Sequence, residues 1–566
     1  MYDELRRAWD EFTGPGGPFE IVEVSVRGTK LRTYANSPGS LRDVWLGSRA
    51  HADSDYLVYE YERWSYERAH RETASIAAWL AERGVGPGDR VAIAMRNYPE
   101  WMLVYWAAVS MGATAVGMNA WWTGPEMAYA IEDSRPKVIV CDAERLERLE
   151  SQRDGLPPVV TVAARVPEAE RGAAVPFSEL VEHGGEMPEA SIDPDSDACV
   201  FYTSGTTGRP KGAQLTHRGC TANLMSILFW NLVTARARDL GGETPEPGSG
   251  GPARLCTLVT TPLFHVTANN CVAHGATAAG GSLVLMYRWD PGQALRLIER
   301  ERITMVTGVP TMARELLAHP EFDSFDTSSL KVLGGGGAAF QPDLVDKIER
   351  RPGDTRPNTG YGLTETCGII STTAADYHVD KPESVGPVLP CFEAQCVDEA
   401  GQPVAPGERG ELWVRGAQVI AGYLNRPEAT AEAITDGWLH TGDVARIDAD
   451  GFLYIVDRIK DMVLRGGENV YCSEVESAVF DHPDVAECAV FGVPDERLGE
   501  EVGCVVVARP GAGLTAEALR EHCAPRLAAH KTPRYFWLRG EALPRNANGK
   551  FLKRQLRDQL DPSEAL

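Results

Sequence analysis

The chain has 566 residues, of which 43% are hydrophobic and 24% are charged. This composition is typical of globular proteins, and the length exceeds what one hydrophobic core supports, so we expect at least two structural units. The formal net charge of -24 argues against a nucleic-acid-binding surface, because such a surface needs clustered Lys and Arg.

The N-terminus and the cysteines bear on the cellular compartment. Residues 1–12 are charged and lack the apolar core of a secretory signal. The 12 cysteines form no CxxC pair, and the closest two, Cys391 and Cys396, stand alone. This pattern is typical of reduced thiols rather than of a zinc site or a disulfide framework. We therefore expect a cytoplasmic protein.

Strand patterns followed by helical patterns begin the predicted fold. Residues 90–95 (RVAIAM) precede an apolar helical pattern, and residues 137–141 (KVIVC) precede an acidic one. Strands that alternate with helices predict parallel sheets with crossover connections. The uncharged stretch 101–125 is long enough for a membrane span, but glycines and polar residues interrupt it. We interpret it as a buried helix that continues into a buried strand, and no membrane span is predicted.

The character of the chain changes towards its C-terminus. Residues 236–254 are rich in Gly and Pro and are predicted to form a polar loop between a helix and a strand. After a basic, glycine-containing connection, an α+β pattern is predicted, with helices at 473–480 and 515–527 and strands at 487–493 and 501–507. We divide the chain into domains 1–457 and 458–566, with a hinge near 457–460.

The most informative segment is YTSGTTGRPKG, residues 202–212. Three glycines allow backbone N–H groups to approach a polyanion, several hydroxyls add donors, and Lys211 supplies a charge. A Gly/Ser/Thr loop alone is usually a turn, but a lysine at this spacing after a strand favours triphosphate binding. The segment is not a P-loop, because Pro210 and Gly212 flank the lysine where that motif needs Gly-Lys-Ser/Thr leading into a helix.

Six further segments follow it: TPLFH (261–265), GGGGAA (334–339), YGLTE (361–365), TGD (441–443), DRIKDMVLRGGENVY (457–471) and PRNANGK (544–550). On these motifs the chain resembles the adenylate-forming superfamily, which includes acyl-CoA synthetases, 4-coumarate–CoA ligases, luciferases and peptide-synthetase adenylation domains. The resemblance extends from about residue 44 to residue 556.

The resemblance implies a fold and a reaction. It implies a large N-terminal α/β domain, with parallel sheets sandwiched by helices and a small β-barrel-like subdomain, and a smaller mobile α+β C-terminal domain. It also implies ATP-dependent conversion of a carboxylic acid to an acyl-adenylate and its transfer to coenzyme A. The first step brings two anions together, so fixed cations, oriented donors and Mg²⁺ are needed. A homodimer would follow from the resemblance alone.

The resemblance assigns roles to matching residues. Tyr361 would stack on adenine, Thr364 would touch the α-phosphate, and Asp443 would accept the ribose hydroxyls. Lys550 would bridge the substrate carboxylate and the α-phosphate by fixed charge and positioning rather than as a base. The implied catalytic residues are Lys550, Thr203, Glu365 and His265, and the implied magnesium ligands are Thr203 and Glu365. The implied cofactor-binding residues are Thr203, Ser204, Gly205, Thr206, Thr207, Gly208, Lys211, Gly335, Gly336, Ala338, Asn358, Thr359, Gly360, Tyr361, Gly362, Thr364, Asp443, Ile455, Arg458, Lys460, Gly466, Gly467, Glu468 and Lys550.

Four of these residues could instead have an ordinary structural role. Glu365 could be a surface ion-pair partner, Asp443 a turn residue, Lys550 a solvated terminal lysine and His265 a packed core histidine.

For coenzyme A, the resemblance implies that the C-terminal domain swings about Lys460, and that the loop 465–468 lines the thiol tunnel.

The acid is predicted to be hydrophobic. Peptide-synthetase adenylation domains place an Asp where this chain has His265, so amino acids are disfavoured. The predicted acyl-pocket wall is Met225, Leu228, Phe229 and Trp230 with Val306, Gly308 and Val309, although a Met/aromatic stripe is more often ordinary core. A medium- or long-chain fatty acid is the first choice, followed closely by a cyclic, steroid-derived or aromatic acid. A luciferase-like oxidative enzyme and a catalytically inactive nucleotide-binding module are the other classes considered.

Overall fold

A computed structural model of the chain describes residues 1–203, 209–242, 254–338, 340–466, 468–546 and 549–566. Four larger sheets and a hairpin organise these residues. None of the helices in these ranges is long and apolar enough to cross a membrane.

The first large sheet is parallel except at one edge. In spatial order its strands are Lys211–Thr216, Asp197–Thr203, Thr114–Gly117, Arg90–Ala94, Val138–Cys141, Val160–Ala163 and Val175–Pro176. Only the first pair is antiparallel. Two of these strands lie at the positions predicted from the alternating pattern.

The second large sheet is parallel in its centre and antiparallel at both edges. Its strands are, in spatial order, Gly368–Ala374, Arg356–Leu363, Val332–Gly336, Met305–Gly308, Cys256–Val259, Ser282–Leu285, Asp55–Tyr59 and Glu62–Ser65.

A helix buried on all sides belongs to the core between these two sheets. All residues of the helix Pro99–Ser110 are buried, and it contacts strands of both sheets and the helix Tyr66–Glu82. A helix enclosed in this way needs no polar face, which explains its mostly apolar sequence; its one charged residue, Glu100, pairs with Arg165. The strand Thr114–Gly117 follows it and is buried too. The interpretation of residues 101–125 is therefore confirmed.

The α-helices of the described residues cover the sheets and the smaller units. They are Tyr2–Thr13, Leu41–Gly47, Tyr66–Glu82, Pro99–Ser110, Gly124–Ser134, Ala143–Glu150, Phe177–Glu182, His217–Gly241, Val266–Ala268, His274–Ala278, Pro291–Glu301, Pro310–Leu317, Pro342–Glu349, Ala375–Asp380, Pro427–Ala433, Cys472–Phe480, Ala516–Cys523 and Lys553–Gln559.

The longest of these helices corrects one sequence prediction. The helix His217–Gly241 is capped by the Thr216 side chain, which accepts a hydrogen bond from the Gly219 backbone N–H, and it ends at Gly242 with a φ of 81°. Residues 236–241, which we predicted to begin a loop, are helical instead. Residues 243–253 of the predicted loop lie outside the described residues.

An antiparallel sheet forms the small β subdomain. Its strands are Gly386–Pro387, Phe452–Arg458, Trp438–Ile447, Gly410–Arg415 and Glu393–Val397, with Ile434–Thr435 paired at the side. The N-terminal helix Tyr2–Thr13 and the hairpin Ile21–Val26/Thr29–Tyr34 pack against it and the helix His217–Gly241, in one apolar cluster.

The C-terminal domain has its own sheet and core. Its strands are Glu468–Val470, Val463–Arg465, Gly499–Ala508 and Val485–Asp495, and Tyr535–Arg539 pairs in parallel with the long strand Gly499–Ala508. The predicted α+β pattern is confirmed, with its last helix shortened to Ala516–Cys523. The fold class is confirmed, and the boundary between residues 457 and 458 stays a prediction.

Candidate active site

The predicted phosphate-binding loop connects two antiparallel strands, Asp197–Thr203 and Lys211–Thr216. Thr203 and Lys211 face each other at the open end of this pair, and the Thr203 Oγ1 hydroxyl lies 3.5 Å from the Lys211 carbonyl oxygen. A P-loop leads from a strand into a helix, so this strand–loop–strand arrangement is not a P-loop, as the sequence predicted. Within the loop, Ser204, Gly205, Thr206, Thr207 and Gly208 lie outside the described residues.

Glycines allow close backbone contact at the ends of the parallel strands Val332–Gly336 and Arg356–Leu363. Gly336 pairs with Gly360, and a Cβ on Gly336 would lie 2.4 Å from the Gly360 carbonyl oxygen. On the other side, a Cβ on Gly335 would lie 1.7 Å from the carbonyl oxygen of Gly308, which ends the strand Met305–Gly308. Any other residue at Gly335 or Gly336 would force the strands apart. Together with Gly360 and Gly362 of the adjacent strand, they form what we call the glycine edge.

A buried carboxylate lies between a phenol and a guanidinium beside this edge. The Tyr361 hydroxyl donates to Asp443 Oδ2 at 2.5 Å, and Arg458 Nε lies 3.1 Å from Asp443 Oδ1. Asp443 and Arg458 face each other across the antiparallel strands Trp438–Ile447 and Phe452–Arg458. The Asp443 side chain is only 3% exposed. The strand pairing therefore fixes a carboxylate and a cation next to the aromatic ring of Tyr361.

Glu365 supplies a second carboxylate, and both its side chain and its backbone accept a hydrogen bond. Glu365 lies in the single 3₁₀ turn Thr364–Thr366 that follows the strand of Tyr361. The Tyr423 hydroxyl donates to Glu365 Oε1 at 2.8 Å, and the Ile420 backbone N–H donates to the Glu365 carbonyl oxygen at 3.0 Å. Burial raises the pKa of Tyr423, and the Glu365 charge raises it further, so the hydroxyl keeps its proton and acts as the donor.

The C-terminal domain places Lys550 at the glycine edge. Lys550 closes a turn in which the Asn546 N–H donates to the Lys550 carbonyl oxygen at 2.8 Å, and the Lys550 N–H donates to Asn546 Oδ1 at 3.0 Å. Gly549 has a φ of 77°, and a Cβ there would lie 2.9 Å from Val309 Cγ2. A Cβ on Gly337 would lie 3.6 Å from Lys550 Cε. The lysine of one domain thus contacts the end of a glycine-containing strand of the other.

Burial lowers the pKa values of three basic side chains in this part of the protein, Lys550, His265 and Lys460. Burial, together with the Arg458 guanidinium, lowers the pKa of Lys550 to about 8, although Asp443 and Glu365 oppose this shift. Burial, together with Lys550, lowers the pKa of His265 to about 3, so this histidine is neutral. The pKa of Lys460 is lowered as well, by burial and by Arg458. These residues form one electrostatically connected group.

Glu365 suits a magnesium ion. Among the described residues, no Lys or Arg side chain forms an ion pair with Glu365, and no cluster of three or more His, Cys, Asp or Glu could hold a metal ion alone. Mg²⁺ in nucleotide enzymes is typically held by one or two carboxylates and by phosphate oxygens. Glu365 and Thr203 would hold the ion, which would neutralise phosphate charge.

Comparison with known proteins identifies the family. The family described as "AMP-binding enzyme" matches residues 46–424, and the "AMP-binding enzyme C-terminal domain" matches residues 474–550. The chain belongs to the AMP-binding enzyme family. The predicted membership of the adenylate-forming superfamily is thereby confirmed.

Relatives of this AMP-binding enzyme differ in their acids. A feruloyl-CoA synthase of Amycolatopsis sp is 37% identical over 496 residues, which cover 87% of this chain and 93% of the relative. A long-chain-fatty-acid–CoA ligase of Bacillus subtilis (strain 168) is 32% identical, covering 86% of this chain and 88% of the relative. The crystal structure of the anthranilate CoA ligase AuaEII in complex with anthranoyl-AMP has a TM-score of 0.81 and 25% identity, covering 92% and 96% of the two chains.

Five of the residues predicted to bind the nucleotide lie together in the second sheet of this AMP-binding enzyme. Gly335, Gly336, Asn358, Gly360 and Gly362 lie on adjacent parallel strands of the second sheet. Thr359 lies on the strand Arg356–Leu363 as well, but only 2% of its surface is exposed. Ile455 packs in the apolar cluster of the β subdomain. The roles of these residues in binding stay predictions.

The predicted thiol-tunnel residues lie elsewhere. Gly466 and Glu468 are exposed at a hairpin of the C-terminal domain, and among the described residues no hydrogen bond or ion pair joins them to Lys550. The nearby Arg465 pairs with Glu501 at 2.7 Å. Gly467 lies outside the described residues, and Ala338 is exposed. The arrangement therefore has Lys550, rather than the hairpin, at the glycine edge.

The predicted acyl-pocket wall is partly wrong. Phe229 is fully buried against Trp9 and Phe19, with ring centroids 4.6 and 5.4 Å apart. Trp230 packs edge-on against Tyr377 at 5.8 Å, and Met225 and Leu228 belong to the same apolar cluster. The aromatic stripe of this helix is core that anchors the N-terminal segment. Val309, in contrast, contacts the turn that carries Lys550.

Tyr423 was missed by the sequence analysis. Its position in the segment AGYLNRPE shows no periodicity, and a single aromatic residue after a glycine is a weak signal. A phenol that is half-buried usually finds a hydrogen-bond partner, but the sequence alone does not show that the partner is Glu365.

Proposed function

We propose that the protein is an AMP-forming acid–thiol ligase. It would join a hydrophobic carboxylic acid to ATP, giving an acyl-adenylate and pyrophosphate, and then transfer the acyl group to coenzyme A, releasing AMP. The observation that carries this proposal is Lys550, which a separate domain brings to the glycine edge beside Asp443, Arg458 and Glu365.

The proposed first step depends on charge placement. The carboxylate of the acid attacks the α-phosphate, and pyrophosphate leaves. Lys550 would lie between the two reacting anions and reduce their repulsion, while Lys211 would hold the departing phosphates. Asp443 would accept the ribose hydroxyls, because its carboxylate is fixed by Tyr361 and Arg458. Preorganised charges of this kind cost no reorganisation during the reaction.

Uncharged residues near Lys550 favour a hydrophobic acid. His265 is neutral because its pKa is about 3. Phe264, whose ring centroid lies 4.6 Å from that of His265, and Val309, beside the turn of Lys550, are buried and apolar. The charged neighbours of Lys550 are those assigned to nucleotide and metal. A medium- or long-chain fatty acid is our first candidate, supported by relatives named as long-chain-fatty-acid–CoA ligases. An aromatic acid is the second, favoured by the higher identity to feruloyl-CoA synthases.

The test is pyrophosphate release from Mg²⁺-ATP over a panel of acids, with and without coenzyme A. Fatty acids of graded length, hydroxycinnamic acids and a steroid-derived acid represent the candidate classes. We expect pyrophosphate release with one class and acyl-CoA formation only when coenzyme A is present. ATP binding without pyrophosphate release for any acid would favour an inactive nucleotide-binding module. Acyl-adenylate consumption that requires oxygen would favour an oxidative enzyme. A cytoplasmic location and a homodimer stay predictions.

A further inference from the structure

One half-buried tyrosine joins the two oppositely charged groups of the phosphate site. The Tyr423 hydroxyl donates to Glu365 Oε1 at 2.8 Å. The ring of the same residue lies under the Lys211 ammonium, with Nζ 5.1 Å from the ring centroid. None of the roles assigned above explains why both contacts fall on one side chain.

The backbone around Tyr423 is fixed to the phosphate-loop strand. Residues 421–424 run along the strand Lys211–Thr216: the Leu424 N–H donates to the Gly212 carbonyl oxygen at 2.8 Å, and the Gln214 N–H donates to the Gly422 carbonyl oxygen at 2.9 Å. The Tyr423 N–H itself donates to Thr430 Oγ1 at 2.9 Å. These bonds fix the backbone of Tyr423 relative to the strand that begins at Lys211.

We propose that Tyr423 is a positioning residue that orients the Glu365 carboxylate for magnesium–nucleotide and keeps it from pairing with Lys211. With one carboxylate oxygen engaged by the phenol, the other oxygen has a defined direction. The ring face attracts the ammonium, because the π-system carries partial negative charge. Among the residues that the structure describes, Lys211 and Glu365 form no ion pair with each other. Both charges therefore remain available for the nucleotide.

This inference rests on the proposed function and predicts a defect confined to magnesium. In Tyr423→Phe the ring and its contact with Lys211 remain, but the hydrogen bond to Glu365 is lost. We expect the affinity for Mg²⁺-ATP, measured by calorimetric titration, to fall about ten-fold, which corresponds to roughly 1.4 kcal/mol. The affinity for ATP in EDTA should not change. Tyr423→Leu removes the ring as well, and should weaken ATP binding in EDTA too.

A matched control separates this effect from a general loss of a tyrosine hydroxyl. Tyr2 also donates to a carboxylate, Asp380 Oδ2, at 2.6 Å, but it lies on the N-terminal helix outside the site. Tyr2→Phe should leave both titrations unchanged. Thermal unfolding without ligand should show that Tyr423→Phe is folded like the wild type.

A double-mutant cycle tests whether Tyr423 acts through Glu365. Glu365→Gln alone should weaken Mg²⁺-ATP binding, and adding Tyr423→Phe to it should weaken binding little further, because the two residues form one unit. Additive losses would overturn the proposal, as would wild-type Mg²⁺-ATP affinity in Tyr423→Phe, or an equal loss in EDTA. If the wild-type protein itself does not bind ATP, the proposed function fails instead.

Discussion

The two sides of the candidate site are held in different ways. The glycine edge belongs to the N-terminal domain, where Gly335, Gly336 and Gly362 lie so close to neighbouring backbone that a Cβ would overlap a carbonyl oxygen. Lys550 instead reaches this edge from a turn of the C-terminal domain, which contacts Val309 through Gly549. A hydrogen bond also joins the two domains: the Ser477 hydroxyl donates to Gln341 Oε1 at 3.2 Å.

This difference suggests a division of labour. The residues proposed to bind the nucleotide are built into a closely packed sheet, in which small displacements are costly. The proposed catalytic charge is carried by a domain with a core of its own, so we expect this domain to dock and leave without disturbing the sheet. A binding defect and a catalytic defect should therefore be separable by mutation.

The largest expected effect is that of Lys550→Ala. Loss of a charge aimed at a reacting phosphate typically lowers kcat by about 10²–10³. We expect acyl-adenylate formation, measured by pyrophosphate release, to fall by this factor, with ATP affinity changed much less. Formation of acyl-CoA from supplied acyl-adenylate should persist, because that step does not need the lysine between two anions.

The control for Lys550→Ala is Lys331→Ala. Lys331 pairs with Asp354 at the surface, at 2.7 Å, and exposed ion pairs of this kind contribute about 0–1 kcal/mol to stability. This variant should keep both half-reactions. Equal loss of both half-reactions in Lys550→Ala would refute the division of labour between the domains.

A smaller effect is expected from Gly362→Ala. Its new Cβ would lie 1.9 Å from the Gly368 carbonyl oxygen, so the strands must shift. Overpacking of this kind typically costs about 1–3 kcal/mol of stability. We expect a lower melting temperature and weaker ATP binding, measured by thermal unfolding and titration.

The glycine prediction has its own control in the same domain. Gly155 is exposed, and a Cβ there would meet no atom within 4 Å. Gly155→Ala should therefore leave the melting temperature and ATP affinity close to those of the wild type. If Gly362→Ala also behaves like the wild type, the glycine edge is more adaptable than its close contacts indicate.

Much of this arrangement was predictable because it is encoded locally. Glu365, Asp443 and Lys550 each stand in a short motif that can be read directly from the sequence. The wrong interpretation of Phe229 has a different origin: its ring packs against Trp9, about 220 residues earlier in the chain. Tyr423 was missed for the same reason, because its partner Glu365 comes from a different element. Periodicity shows which face of an element is apolar, but not what covers it.

The smallest effect we predict is a pH dependence that originates at Lys550. Its pKa in the free protein is lowered to about 8, chiefly by burial, so the ammonium loses its proton as the pH rises through that value. The role proposed for Lys550 needs the charged form. We therefore expect kcat/KM for pyrophosphate release, which reports the free enzyme, to be halved near pH 8 and to fall about ten-fold per pH unit beyond it. Bound phosphates stabilise the ammonium, so kcat should fall only at higher pH.

The matched variant for this profile is Lys550→Arg. A guanidinium stays charged over the whole range, so the variant should have a lower rate but no fall in kcat/KM near pH 8. Should Lys550→Arg show the same fall as the wild type, the titrating group is not Lys550. In that case the burial of this lysine between the two domains would not control the charge that the first half-reaction needs.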